Sequence, residues 1–264
     1  MKCLEEPHVF ESHGYSLSAY LHIPQTERIP PIVILFHGFT GNKIESGRLY
    51  VDLSRELCKE GVAVMRFDYR GHGDSPLNFE DFRIKWAFED AEEAIKHVVE
   101  SLRVRVDVSR IGIVGLSLGG AVAIRVATLF KNHIKAMVLL SPAIDFSEII
   151  KAEAMVTDNE YVYLGSQRIR RSSLEEMRSV NLMDRAEEIE TAVLIIHSKD
   201  DQIVPYTQSL KFHERLKCTK KLILLNEGGH VFNTYSSRRR VIEEILKWFR
   251  THLVGSSDKD LNEK

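Results

Sequence analysis

The chain has 264 residues, 44% of them apolar and 28% charged, which suits one α/β domain with a modest insertion. Its formal net charge of −2 gives no footprint for nucleic acid or for an anionic membrane surface. No apolar run approaches the length of a transmembrane helix, and the first residues have no apolar core of a signal peptide, so the expected location is cytoplasmic.

Residues 9–13 and 17–22 read as two strands joined by a turn at Gly14. Residues 32–36 form an unbroken apolar run, and 62–67, 111–114, 136–140, 192–196 and 222–225 repeat the type. Short runs without alternation are expected of parallel strands covered on both faces. Helical periods fill the intervals. Segment 48–60 carries Leu49, Leu53 and Leu57 at i, i+4 and i+8, and 86–102, 119–130, 206–216 and 239–253 follow. The alternation predicts a mostly parallel, doubly wound sheet, with the first two strands added as an antiparallel edge.

One stretch breaks the rhythm. Residues 141–190 are too long for an ordinary loop, and within them 161–169 looks like a small hairpin and 173–180 like a helix. The expected organisation is a core over 1–140 and 191–254, a lid inserted over 141–190, and a polar disordered tail over 255–264. The three cysteines, Cys3, Cys58 and Cys218, are odd in number and far apart. They are expected to be reduced thiols, with neither a disulfide nor a metal site.

Gly115-Leu116-Ser117-Leu118-Gly119 matches the G-x-S-x-G pattern, between a predicted strand and a predicted helix. A turn this tight strains the backbone at the serine and crowds the residues two before and two after it, so both must be glycine-small. The hydroxyl is pushed above the sheet at a helix N-terminus, where negative charge is favoured. A serine hydroxyl stays protonated at neutral pH, so it needs a base, and the base needs an orienting carboxylate. His230 follows the last strand in a glycine-containing loop. His37, His72 and His197 also lie near strand ends but precede the position the base requires. Asp200 and Asp201 are both candidates for the acid; Asp201, four before Pro205, is preferred, with Asp200 left to hold the turn. The developing oxyanion needs N–H donors. Leu118 and Phe39 are expected to supply them, Phe39 from the loop His37-Gly38-Phe39-Thr40-Gly41. Residues 70–75 read as a structural loop whose Asp68 and Asp74 anchor turns.

Together these residues resemble the α/β-hydrolase superfamily. The segments Phe36-His37-Gly38-Phe39-Thr40-Gly41-Asn42-Lys43 and Arg66-Phe67-Asp68-Tyr69-Arg70-Gly71-His72-Gly73-Asp74-Ser75 look like those of bacterial cinnamoyl/feruloyl esterases and related carboxylesterases. The resemblance implies an α/β-hydrolase fold, a triad of Ser117, Asp201 and His230, and oxyanion donation by Phe39 and Leu118. It also implies a lid over the acyl pocket, whose polar groups here are Asp145, Tyr161, Tyr163 and Gln167. The expected activity is hydrolysis of small carboxylic esters, short-chain acyl or aryl and hydroxycinnamoyl, without metal or organic cofactor. No nucleic-acid partner or stable membrane insertion is expected, and a homodimer is compatible. A monoacylglycerol lipase or thioesterase, a serine aminopeptidase or amidase, and a non-catalytic binding protein on this fold are the alternatives.

Overall fold

The computed structural model describes residues 2–150 and 160–254, so the expected tail 255–264 and part of segment 141–190 lie outside the described residues. An eight-stranded sheet forms the centre, in the order β1-β2-β4-β3-β5-β6-β9-β10. Its first two strands, β1 (Cys3–Ser12) and β2 (Tyr15–Pro24), make an antiparallel hairpin, and β2 pairs antiparallel with β4 (Ala63–Phe67). All other pairings are parallel, through β3 (Pro31–Phe36), β5 (Asp107–Leu116), β6 (Ile134–Leu140), β9 (Ala192–Ser198) and β10 (Lys220–Leu225). This is the α/β-hydrolase fold.

The central strands are apolar throughout because helices cover both faces: every residue of β3 and of β4 is buried. On one face lie α1 (Leu49–Lys59) and α6 (Tyr235–Phe249), where Leu53, Leu57, Val241 and Ile245 meet Val33, Leu35 and Val114. On the other lie α2 (Ile84–Ser101), α3 (Leu118–Leu129) and α5 (Tyr206–Arg215), packed around Ile34, Phe36 and Ile113. The edge strand β1 begins earlier than its apolar pattern suggests. Polar Glu5, Glu6 and His8 are tolerated there because they are only half-buried.

Between β6 and β9 the chain forms a separate hairpin, β7 (Tyr161–Leu164) and β8 (Gln167–Arg170), and a short helix α4 (Arg171–Arg178). The hairpin buries Val162 and Ile169. Arg168–Glu80 and Arg170–Asp81 ion pairs, each 2.7 Å, tie it to the short 3-10 turn Phe79–Asp81.

The expectation of reduced thiols is corrected for two of the cysteines. Cys3, at the start of β1, and Cys58, in the last turn of α1, form a disulfide with Cα atoms 6.2 Å apart, and Cys218 is free. A separation of 55 residues hides the pairing in the sequence, and only the packing of α1 beneath the β1–β2 edge brings the two together. Among the described residues no helix is long and apolar enough to cross a membrane.

Candidate active site

Ser117 is the single residue between β5 and α3. Its backbone stands at φ 55°, ψ −116°, a costly conformation for a residue with a side chain. Three hydrogen bonds hold it there: its N–H donates to Leu140 O (2.9 Å), and its carbonyl accepts from Gly120 (2.9 Å) and Ala143 (3.0 Å). The flanking glycines are obligatory. A Cβ on Gly115 would stand 2.0 Å from Gly119 O, and one on Gly119 would stand 1.9 Å from Phe36 O.

His230 lies in the loop between β10 and α6. Gly228 and Gly229 adopt φ of 145° and 60°, and their N–H groups donate to Asp200 at 3.2 and 3.0 Å. Asp200 therefore holds the loop that carries the imidazole, rather than its own turn. Asp201, not Asp200, reaches the imidazole: its Oδ2 accepts from His230 Nδ1 at 2.7 Å. Its Oδ1 accepts the N–H groups of Ile203 (2.8 Å) and Val204 (3.0 Å), and its Oδ2 also faces His197 Nε2 at 3.0 Å. Burial alone would raise the Asp201 carboxyl; the hydrogen bonds from His197 and His230 outweigh it and hold the group far below the usual carboxylate range. Asp201 is thus a stable anion in a side-chain environment that is 0% exposed.

Ser117 and His230 line one cleft of about 330 Å³, together with Gly38, Phe39, Thr40, Asn42, Glu45 and Leu116. No hydrogen bond joins the Ser117 and His230 side chains in this geometry, as is common in open sites whose catalytic contacts tighten on substrate. Leu118 is the first residue of α3, so its N–H has no partner within the helix. Among the described residues no protein group accepts the Phe39 N–H. In contrast, Gly38 N–H is committed to Glu45 Oε1 at 2.5 Å.

Glu45 carries no motif signal in the sequence, and nothing there points to it. Its backbone sits at φ 61°, ψ 166°, a region that side chains rarely enter, and its carboxylate caps Gly38 and Ser46 N–H. Desolvation raises its carboxyl, with the two backbone donors and nearby His230 acting in the opposite direction. Asp68 anchors its loop, accepting from Lys43 N and Nζ, both at 2.5 Å, and from Asp74 N at 2.9 Å, while the Asp74 carboxylate accepts from Lys43 Nζ at 2.6 Å.

The four polar residues expected in the lid are not brought together. Tyr163 and Gln167 line a second cavity of about 550 Å³ with Asn78, Phe79 and Glu80. Tyr161 lies under the guanidinium groups of Arg168 and Arg170. Asp145 is spent on Ser147 and Asn181. None of the four lines the cleft that holds Ser117. The two cavities share an aromatic wall, since the Phe39 and Phe79 ring centroids are 5.3 Å apart. Among the described residues no group of three or more His, Cys, Asp or Glu is placed to hold a metal.

Residues 50–256 match the model of the prolyl oligopeptidase family. The chain belongs to this family, whose members are serine hydrolases on the α/β-hydrolase fold. It is 21% identical over 241 residues to the acylamino-acid-releasing enzyme of Rattus norvegicus, covering 87% of this chain. It spans only about a third (32%) of that relative's length. It is 26% identical over 214 residues to the mitochondrial palmitoyl-protein thioesterase ABHD10 of Bos taurus, covering 75% of this chain and 66% of the relative. Among solved structures, Est1E of Butyrivibrio proteoclasticus with bound ferulic acid superposes with a TM-score of 0.79 at 25% identity, over 92% of this chain and 99% of Est1E.

Proposed function

We propose that the chain is a serine carboxylesterase for small carboxylic esters, short-chain acyl or aryl, hydroxycinnamoyl esters included. The observation that carries this reading is the 2.7 Å hydrogen bond from His230 to buried Asp201, with His230 lining the cleft that also holds the strained Ser117. With Nδ1–H donated to the carboxylate, Nε2 keeps its lone pair for the Ser117 proton. Ser117 Oγ attacks the ester carbonyl as His230 takes that proton, and Asp201 stabilises the imidazolium. The N–H groups of Leu118 and Phe39 receive the oxyanion. His230 then protonates the departing alcohol, and water repeats the sequence on the acyl-enzyme. Segment 141–190 acts as the lid. An acyl group that extends past Phe39 and Phe79 reaches Tyr163 and Gln167, while Asp145 and Tyr161 support the segment.

A second reading, amide or peptide hydrolysis by the same three residues, is favoured by the family match and the rat relative. One panel separates the readings: p-nitrophenyl acetate to palmitate, methyl ferulate, an acyl-CoA and an aminoacyl anilide, on wild type and Ser117→Ala. The expected result is turnover of short acyl and aryl esters, abolished in Ser117→Ala. Activity retained by that variant overturns the mechanism, and anilide turnover exceeding that of every ester overturns the substrate class.

A further inference from the structure

The Asp201 carboxylate serves two imidazoles, and only one of them faces the cleft. His197, near the end of β9, is 0% exposed, and its Nε2 lies 3.0 Å from Asp201 Oδ2 and 3.1 Å from Val204 O. A backbone carbonyl only accepts, so Nε2 carries the proton and forks it between the two oxygens. Nδ1 lies 2.8 Å from the Ser209 hydroxyl of α5, which completes the ring's hydrogen bonding. Asp201 and Val204 thus agree in placing a proton on Nε2. Four donors saturate Asp201: two backbone N–H groups on Oδ1 and two imidazole N–H groups on Oδ2.

Resting on the mechanism proposed above, we propose that His197 is a positioning residue that sets the strength of the Asp201–His230 couple. By donating to the same oxygen as His230, it draws off part of the carboxylate's charge and blocks rotation about the Asp201 side chain. His230 is thereby oriented by a carboxylate whose charge is shared between two donors. The titratable groups facing His230 are Asp201, from the turn after β9, and Glu45, from the loop after β3. Among the described residues, the titratable group hydrogen-bonded to His197 is Asp201; α5 presents the Ser209 hydroxyl, and the turn after β9 presents the Val204 carbonyl.

The test is a pH profile of kcat and kcat/KM for p-nitrophenyl acetate on wild type, His197→Leu, His197→Gln, Ser209→Ala and Ser117→Ala. Concentrations of competent sites come from titration with a fluorophosphonate. A hydrogen bond to a charged group carries about a factor of ten or more. His197→Leu is therefore expected to lose about tenfold in kcat with KM little changed. Its acid limb should move to higher pH, because an Asp201 with one donor fewer binds the His230 imidazolium more tightly. His197→Gln, whose amide N–H can still reach Asp201, restores most of both. Ser209→Ala, which spares the fold if His197→Leu does not, moves the limb the same way by less. An unshifted limb in both His197→Leu and Ser209→Ala, or a glutamine variant no better than leucine, overturns the proposal while Ser117→Ala stays inactive. Activity surviving in Ser117→Ala overturns instead the mechanism on which it rests.

Discussion

Replacing Asp201 by asparagine changes one atom and removes one charge, and the surrounding donors decide how the site responds. Four N–H groups converge on the carboxylate, two on each oxygen. An amide has one acceptor oxygen, so one pair of donors must face its NH₂. If the oxygen turns to the imidazoles, the N–H groups of Ile203 and Val204 lose their acceptor, at about 1–3 kcal/mol each for buried donors. The oxygen therefore stays with the backbone, and the NH₂ points at His197 and His230. His197 keeps its proton on Nε2, where Val204 O also accepts it. His230 has no such restraint and must accept at Nδ1, which places its proton on Nε2, where the base should be bare. Loss of the correct tautomer in a serine triad lowers kcat by about 10⁴, or roughly 5 kcal/mol of barrier. The assay is kcat/KM for p-nitrophenyl acetate from about pH 5 to about pH 9, the span in which a triad base titrates, with circular dichroism to verify folding. Asp200→Asn is the control, because it removes a loop anchor and leaves the couple intact, and it is expected to cost about tenfold or less. Asp201→Asn retaining more than about a tenth of wild-type activity, or Asp200→Asn proving the more damaging, would refute the assignment of the acid.

Three further outcomes are expected. Glu45→Ala frees the Gly38 N–H and with it the loop bearing Phe39; kcat should fall about 10- to 100-fold with KM little changed, and Glu45→Gln, which keeps an acceptor, should lie nearer wild type in the same steady-state assay. Burial lowers His22 to about 4, aided by Arg66, and lowers His37 and His72 to about 3 each. Their folded values lie below the unfolded imidazole value, so the stability tied to keeping them neutral is complete above about pH 6.5 and is lost as pH falls toward the folded values, at up to about 1.4 kcal/mol per pH unit for each. Denaturant titrations between about pH 7 and about pH 5 should show this decline, reduced by about one proton in His72→Gln, and a flat profile would contradict it. Opening the Cys3–Cys58 bridge, with its separation of 55 residues, should cost ~4 kcal/mol by loop entropy, read as a lower denaturation midpoint in Cys3→Ser and in wild type under reductant.

Features carried by local backbone chemistry are legible in the sequence. The glycines around Ser117 are demanded by a turn whose crowding is steric, and the run in β3 is apolar because both its faces are covered. His230 is marked by its glycines and its place after the last strand. The features that escape a reading of the sequence depend on contacts across the fold. The spacing to Pro205 favours Asp201 over its neighbour, but that Asp200 reaches the backbone of Gly228 and Gly229 rather than its own turn depends on how two distant loops meet. Glu45 is found by a backbone dihedral, which no composition records. The lid residues stand out for their polarity, yet Arg168 and Arg170 cover Tyr161, and Asn181 occupies Asp145.

The turn after β9 also explains how a site drawn from distant parts of the chain holds one geometry. Asp201 fixes the ring of His230 and Asp200 fixes the backbone that carries it, so two successive residues set both the position and the orientation of the imidazole. Ser117 is held on the other side by Leu140 and Ala143, from β6 and the segment after it. The sheet is the common support, because β9 lies between β6 and β10 in parallel register and passes its order to both halves. The Gly38–Glu45 loop after β3 closes the third side, with Glu45 at the cleft wall. On the proposed mechanism, selectivity then falls to the surfaces beside this frame, chief among them the aromatic wall of Phe39 and Phe79. Substitutions at Phe79 should then change which acyl group is accepted while the pH profile set by His197, Asp201 and His230 stays where it is.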